Sequence, residues 1–270
     1  MTSVLFPLDP GRRSGTAGTD RLARQEPDGI PLVAVPHAGG TAHAYRGWSE
    51  PARARGLRVF GVRTAMPTDP DSPERTVRAR ARRLAESLAE LGEPCVLVGH
   101  SLGGLIAAEA VLHLERHLAD AVPALLVVCA TNPPHLPRPV PVAGGTEEEA
   151  VDFLRTVGGT PPQVLADPGM RELAVAMLRN DLASLRGYTW DGRRLTTPTA
   201  VYAGRTDPVA PPDALAEWTG VAEQVTTRVF DSGHFFPHDS TAHLLDAIRL
   251  DLAGSRAAPA PGRPRPAHRP

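Results

Sequence analysis

The chain has 270 residues, 29 of them Lys or Arg and 30 Asp or Glu, for a formal net charge of −1. That balance gives no electrostatic case for nucleic acid or an anionic membrane as partner, and no apolar run approaches the roughly 18 residues that a bilayer span needs. The length and mixed composition suit one globular domain with a sizeable core, and the first residues lack a basic segment followed by an apolar one, so a cytoplasmic location is expected.

Residues 1–24, with Gly11-Arg12-Arg13-Ser14-Gly15, and the Pro/Arg-rich residues 256–270 lack hydrophobic periodicity and are expected to be disordered extensions of a domain spanning 25–255. Within that domain strand-like apolar runs alternate with helical ones, the pattern of a mostly parallel sheet covered by helices on both faces. Leu32 to Val35 is the first strand and runs into the loop Pro36-His37-Ala38-Gly39-Gly40; Leu57 to Val62 is the second. A helix follows, with Ser72 as cap, Pro73 in its first turn, a stripe of Val77, Ala81, Leu84, Leu88 and Leu91, and Gly92 as its stop. Arg78, Arg80, Arg82 and Arg83 lie mostly off that stripe and are expected on a solvated face.

The next strand, Cys95 to Val98, runs into Gly99-His100-Ser101-Leu102-Gly103 and then into the apolar Leu105-Ile106-Ala107-Ala108. Gly-x-Ser-x-Gly between a strand and a helix is a nucleophile elbow: the turn forces the serine into an unusual backbone conformation, and glycines flank it because a Cβ would strike the neighbouring strand or helix. The expected architecture is therefore an α/β-hydrolase fold. Cys95, and Cys129 at the end of the strand Ala124 to Cys129, read as buried packing rather than as a disulfide or metal ligands. From Pro133 to Asp191 the strand rhythm breaks, with a proline-rich lead and helical segments around Glu147 to Val157 and Met170 to Ser184. An insertion after a strand's carboxyl end hangs over the site, so residues of about 134–190 are expected to form a lid; the alternative is that they complete the outer helical layer. Ala200 to Tyr202 and Val225 to Phe230 are the last strands.

A serine hydroxyl needs an imidazole to take its proton and an anion to orient that imidazole. On this fold both partners follow the serine in the chain, in loops after strands. His234, directly after the strand that ends at Phe230, and Asp207, directly after the strand Ala200 to Tyr202, meet that condition for Ser101. Asp231 is the rival acid, although its place suits a turn cap; His238 and His243 are rival bases in a helix-start context that suits surface groups. Two backbone N–H groups must receive the oxyanion. Leu102, after the nucleophile, supplies one, and Ala38, in the loop after the first strand, supplies the other. His37 and His100 flank these donors and read as loop-positioning residues.

Together these segments resemble the type II thioesterases that accompany modular polyketide and nonribosomal peptide synthases. The resemblance rests on Pro36 to Gly40 with Tyr45-Arg46-Gly47-Trp48, on Gly99 to Gly103, and on Val157-Gly158-Gly159-Thr160. It continues in Leu178-Arg179-Asn180-Asp181 with Tyr188, Gly204-Arg205-Thr206-Asp207-Pro208 with Trp218, and Gly233-His234-Phe235-Phe236, covering roughly residues 30 to 252. It implies an enzyme with nucleophile Ser101, acid Asp207, base His234 and oxyanion donors Ala38 and Leu102. Such an enzyme releases acyl groups from the phosphopantetheine arm of an acyl or peptidyl carrier protein, with no metal or organic cofactor and no nucleic-acid or membrane partner. Two departures stand out. Thr64-Ala65-Met66-Pro67-Thr68 replaces the family's usual Pro-Gly-Arg-Glu, and Leu102 and Gly104 stand where methionine and alanine are usual. A chain-releasing cyclase using an internal nucleophile, a small-molecule esterase and a non-catalytic carrier-binding module are the alternatives.

Overall fold

The computed structural model describes residues 3–8, 29–63, 76–136 and 145–257. Seven strands form one sheet: β1 (Leu5–Pro7), β2 (Ile30–Val35), β3 (Leu57–Val62), β4 (Val96–His100), β5 (Leu125–Cys129), β6 (Thr199–Gly204) and β7 (Val225–Phe230). Their order is β1-β3-β2-β4-β5-β6-β7, and all pairs are parallel except β1 with β3. The side-chain alternation of a strand divides the interior in two. Val33, Val35, Leu97 and Leu126 face one way, onto α2 (Val77–Leu91) and α3 (Leu102–His117); Leu32, Ala34, Val96 and Val98 face the other, onto α1 (Ser49–Arg53) and α8 (Thr241–Ala257). This is the α/β-hydrolase architecture expected from the elbow.

The chain passes from β2 outward to β3 and returns to β4 on the other side of β2. That reversal leaves the loops after β2 and β4 side by side at the carboxyl ends of neighbouring strands, where an open α/β sheet has its binding crevice. Above it lie three helices, α4 (Glu147–Val157), α5 (Pro162–Ala166) and α6 (Pro168–Ala183). They carry their own small core of Ala150, Val151, Leu154, Leu165, Val175 and Leu178, against which Ala38 of the β2 loop packs. Thr146 and Glu149 close a capping box at the start of α4. The helices thus roof the crevice rather than add to the outer layer.

Three expectations differ from the structure. Helix α2 starts at Val77 with Thr76 as cap, its hydroxyl accepting from Ala79 N–H at 3.1 Å; Ser72 and Pro73 lie outside the described residues. Inside the expected N-terminal extension, Leu5–Pro7 pairs with β3, and Val4 and Leu8 are buried. A three-residue strand is too short to show periodicity, yet it covers an otherwise open sheet edge. Residues 9–28 and 258–270 lie outside the described residues, as does the Thr64 to Thr68 segment. Finally, Arg80 is 8% exposed, not solvated. It falls on the buried face beside Ala81 and Leu84, and its charge is matched there by an aspartate described below.

Candidate active site

Ser101 links β4 to α3 with φ 56° and ψ −119°, a conformation that side chains rarely adopt and that lifts the serine out of both elements. The flanking glycines allow it. A Cβ on Gly99 would lie 2.4 Å from the Gly103 carbonyl oxygen, and one on Gly103 would lie 2.3 Å from that of Val35. The Ser101 N–H donates to the Cys129 carbonyl at 2.8 Å, which ties the turn to the end of β5.

Asp207 follows β6 and is 4% exposed; His234 follows β7 and is 5% exposed. Their side chains meet, His234 Nδ1 lying 2.9 and 2.8 Å from Asp207 Oδ1 and Oδ2. The Val209 and Ala210 amides donate to Asp207 Oδ1 at 2.8 and 3.0 Å and fix the carboxylate's direction. His100 Nε2 sits 2.9 Å from the His234 carbonyl and steadies the loop from the elbow side. The rival acid Asp231 instead pairs with Arg205 at 2.5 Å on the surface. Asp207 thus engages His234 at Nδ1 and leaves Nε2 as the ring's other nitrogen.

Ser101, Leu102, Ala38 and His234 line one cavity of about 280 Å³. Leu102 is the first residue of α3, so its N–H has no acceptor within the helix and carries the positive end of the helix dipole. In the β2 loop the Gly40 N–H donates to the His37 carbonyl at 2.9 Å and the Gly39 N–H to Asp181 Oδ2 at 2.8 Å, while the Ala38 N–H has no acceptor among the described residues. The cavity's remaining wall is apolar, with Leu105 from the body and Phe153, Leu154, Leu178 and Leu182 from the roof.

Next to this cavity sits a group of histidines. His37 and His100 have ring centroids 5.1 Å apart, and His238, expected on the surface, is half-buried with its ring 5.6 Å from His100 and 5.4 Å from Tyr45. The turn of α7 (Phe236–Asp239) swings His238 inward; His243 is exposed. Burial, reinforced by His238 and His234, lowers His37 to about 3, and burial likewise holds His100 well below the imidazole range. Both shifts favour the neutral imidazole. The three rings could present one ligand nitrogen each within 4.8 Å of one another, against the roughly 3.4 Å spacing that zinc bonds of about 2.1 Å would set, so the group would have to contract to hold that ion.

The contacts of two polar elements of the site were not read from the sequence, although Asp181 lies in the Leu178 to Asp181 segment of the resemblance. Arg80 Nη1 and Asp181 Oδ1 form a buried ion pair at 2.7 Å, with the same aspartate gripping Gly39. Thr131, after β5, places its hydroxyl 3.0 Å from the Ser101 carbonyl and 2.9 Å from that of Cys129, while its own carbonyl receives the Trp218 indole N–H at 3.0 Å. A charged residue between the apolar Leu178 and Leu182 was the available signal for Asp181; nothing local marked Thr131.

Comparison with known proteins identifies the family. Residues 30–252 match the thioesterase domain family. The chain is 31% identical over 249 residues to a probable cadicidin biosynthesis thioesterase of Streptomyces griseus, a match covering 87% of this chain and 66% of that protein. It is 28% identical over 239 residues to the thioesterase PikA5 of Streptomyces venezuelae, covering 85% and 83% respectively. Among solved structures, the type II thioesterase BorB from the borrelidin biosynthetic cluster superposes with a TM-score of 0.75 at 25% identity, over 93% of this chain and 99% of that one. A strained serine elbow, an imidazole–carboxylate pair and a family match that runs from β2 into α8 all lead to one conclusion: this chain belongs to the thioesterase domain family.

Proposed function

We propose that the protein hydrolyses acyl groups from the phosphopantetheine arm of an acyl or peptidyl carrier protein in polyketide or nonribosomal peptide biosynthesis. The observation that carries this reading is the convergence of Ser101 and the Asp207-held His234 on a single cavity with an apolar wall. In this reading Ser101 Oγ attacks the thioester carbonyl as His234 Nε2 takes its proton, and the negative oxygen rests on the Ala38 and Leu102 N–H groups. The C–S bond then breaks, and the departing sulfur takes the proton from His234. Water repeats the sequence on the acyl-serine: its proton passes to His234, the bond to Oγ breaks, and Oγ recovers the proton as the free acid leaves. Asp207 keeps the imidazole in the tautomer that both halves require. The apolar wall receives the acyl chain, and the phosphopantetheine thiol is the leaving group.

Incubation with an acyl-loaded carrier protein, followed by intact mass of both carrier and product, tests the reading. Loss of the acyl group with appearance of the free acid, abolished in Ser101→Ala, supports it. An unchanged acyl carrier refutes it, and a product lighter by one water assigns the chain to ring closure instead.

A further inference from the structure

Asp181 does three things at once. It lies on α6, 3% exposed; its Oδ2 accepts the Gly39 N–H at 2.8 Å; and its Oδ1 pairs with Arg80 of α2 at 2.7 Å. Both ends of the ion pair are buried, with side chains 7% and 4% exposed. The same junction is tied again one step along, where the Ser184 hydroxyl donates to the Asp181 carbonyl at 2.6 Å and the Val77 N–H donates to the Ser184 carbonyl at 3.4 Å. Neighbouring turns of α6 contribute Leu178 and Leu182 to the cavity wall. One helix therefore lines the pocket and holds the loop that carries the Ala38 N–H.

We infer that Asp181 is a positioning residue for the oxyanion hole: by holding the Ala38–Gly39 peptide it fixes the direction of the Ala38 N–H, and it makes that direction depend on where the roof helix α6 sits. The inference rests on the reading of Ala38 as an oxyanion donor. The loop needs such a hold because Gly39 has φ +78°, a glycine conformation with little rigidity of its own. A carboxylate this near a developing oxyanion would oppose it if left as a bare charge. Arg80 neutralises the carboxylate, so the loop receives its hydrogen bond without a net negative field. The arrangement also couples the two halves of the site. An acyl chain that seats against Leu178 and Leu182 settles α6, and a settled α6 completes the hole, whereas a displaced α6 pulls the Gly39 amide with it. Displacements of about 1 Å in such groups lower rates by as much as ~100-fold.

The test compares two paired replacements that leave no buried charge unmatched. Arg80→Met with Asp181→Leu removes the grip on Gly39, whereas Arg80→Gln with Asp181→Asn keeps a neutral acceptor for the same amide. Each is assayed with an acyl N-acetylcysteamine thioester and, independently of turnover, by the rate at which a fluorophosphonate labels Ser101, with far-ultraviolet circular dichroism as the check on folding. The apolar pair is expected to lose roughly 10- to 100-fold in kcat and in labelling rate with KM within about threefold, and the amide pair to stay within about fivefold of the parent in both. Parental kcat and labelling in the folded apolar pair would overturn the inference, as would a rise in KM alone. If the apolar pair does not fold, a loss of more than tenfold in the amide pair overturns it and retention within fivefold supports it. A parent protein that labels but cleaves no thioester overturns the proposed function while the labelling rates still decide the role of Asp181.

Discussion

Gly104 follows the elbow, and the structure supplies a reason for glycine there that can be tested. It lies in the first turn of α3, where helix propensity alone predicts that alanine stabilises by about 1 kcal/mol. A Cβ there, however, would come 2.1 Å from Thr131 Oγ1, 2.9 Å from its Cβ and 3.0 Å from its Cγ2. Thr131 would have to turn away, giving up the hydroxyl shared between the Ser101 and Cys129 carbonyls, a loss of about 1 kcal/mol. The residual overlap with a β-carbon that belongs to a backbone held by Trp218 adds about 1–3 kcal/mol. Set against the helix gain, Gly104→Ala should destabilise the protein by roughly 1–3 kcal/mol. It should also slow turnover, because the strain falls on the residue that carries the nucleophile's carbonyl contact. Adding Thr131→Ala removes the oxygen and the methyl, and should recover at least about 1 kcal/mol of the loss, a coupling readable from a double-mutant cycle in urea unfolding. A Gly104→Ala protein more stable than the parent, with Thr131 intact, would falsify the steric account and leave only helix propensity.

The buried histidines make stability depend on pH. Unfolded imidazoles take a proton below about 6.5, while folded His37 stays neutral down to about 3 and His100 is likewise held low, so acid favours the unfolded chain. Between pH 7.5 and 5.5 each of these two removes about 1.4 kcal/mol, together roughly 3 kcal/mol of unfolding free energy; urea midpoints that coincide at the two pH values would contradict this. Asp207→Asn keeps a group of the same shape beside Val209 and Ala210 but offers His234 a choice of tautomers, and is expected to lower kcat by roughly 10³- to 10⁴-fold with circular dichroism unchanged. A decrease below tenfold would show that Asp207 does not orient the imidazole. Leu182→Phe should shorten the longest acyl chain accepted, raising KM for long-chain thioesters at least about fivefold while leaving short-chain kcat/KM near the parental value; equal effects on both would place the chain elsewhere.

The features legible in the sequence share one property: each is set by a few consecutive residues at the end of a strand. The elbow, the loop after β2 and the loops that hold Asp207 and His234 carry their geometry in local turn chemistry, so strand placement plus chain order brings them to one edge of the sheet. What was not legible depends on a partner far along the chain. Arg80 sits three residues after Val77 and four before Leu84, both buried, so its spacing already placed it inward. Grouping it with Arg78, Arg82 and Arg83 off the stripe suggested solvent, and the aspartate that neutralises it is 101 residues away. Asp181 carries the mirror-image signal, an acid on the helix face of Leu178, and Gly104 makes sense only beside Thr131. A charged residue at an apolar helix position is uninformative alone; an opposite pair, one on each of two helices that flank a catalytic loop, is a prediction of contact. In this chain Arg80 and Asp181 are such a pair, and they meet because a buried charge without a counter-charge would cost several kcal/mol. The same energetic argument explains why the pair lies against the Gly39 amide. A carboxylate that is already neutralised has a lone pair left for a backbone donor, and the Gly39 N–H, beside the proposed oxyanion donor Ala38, donates to it.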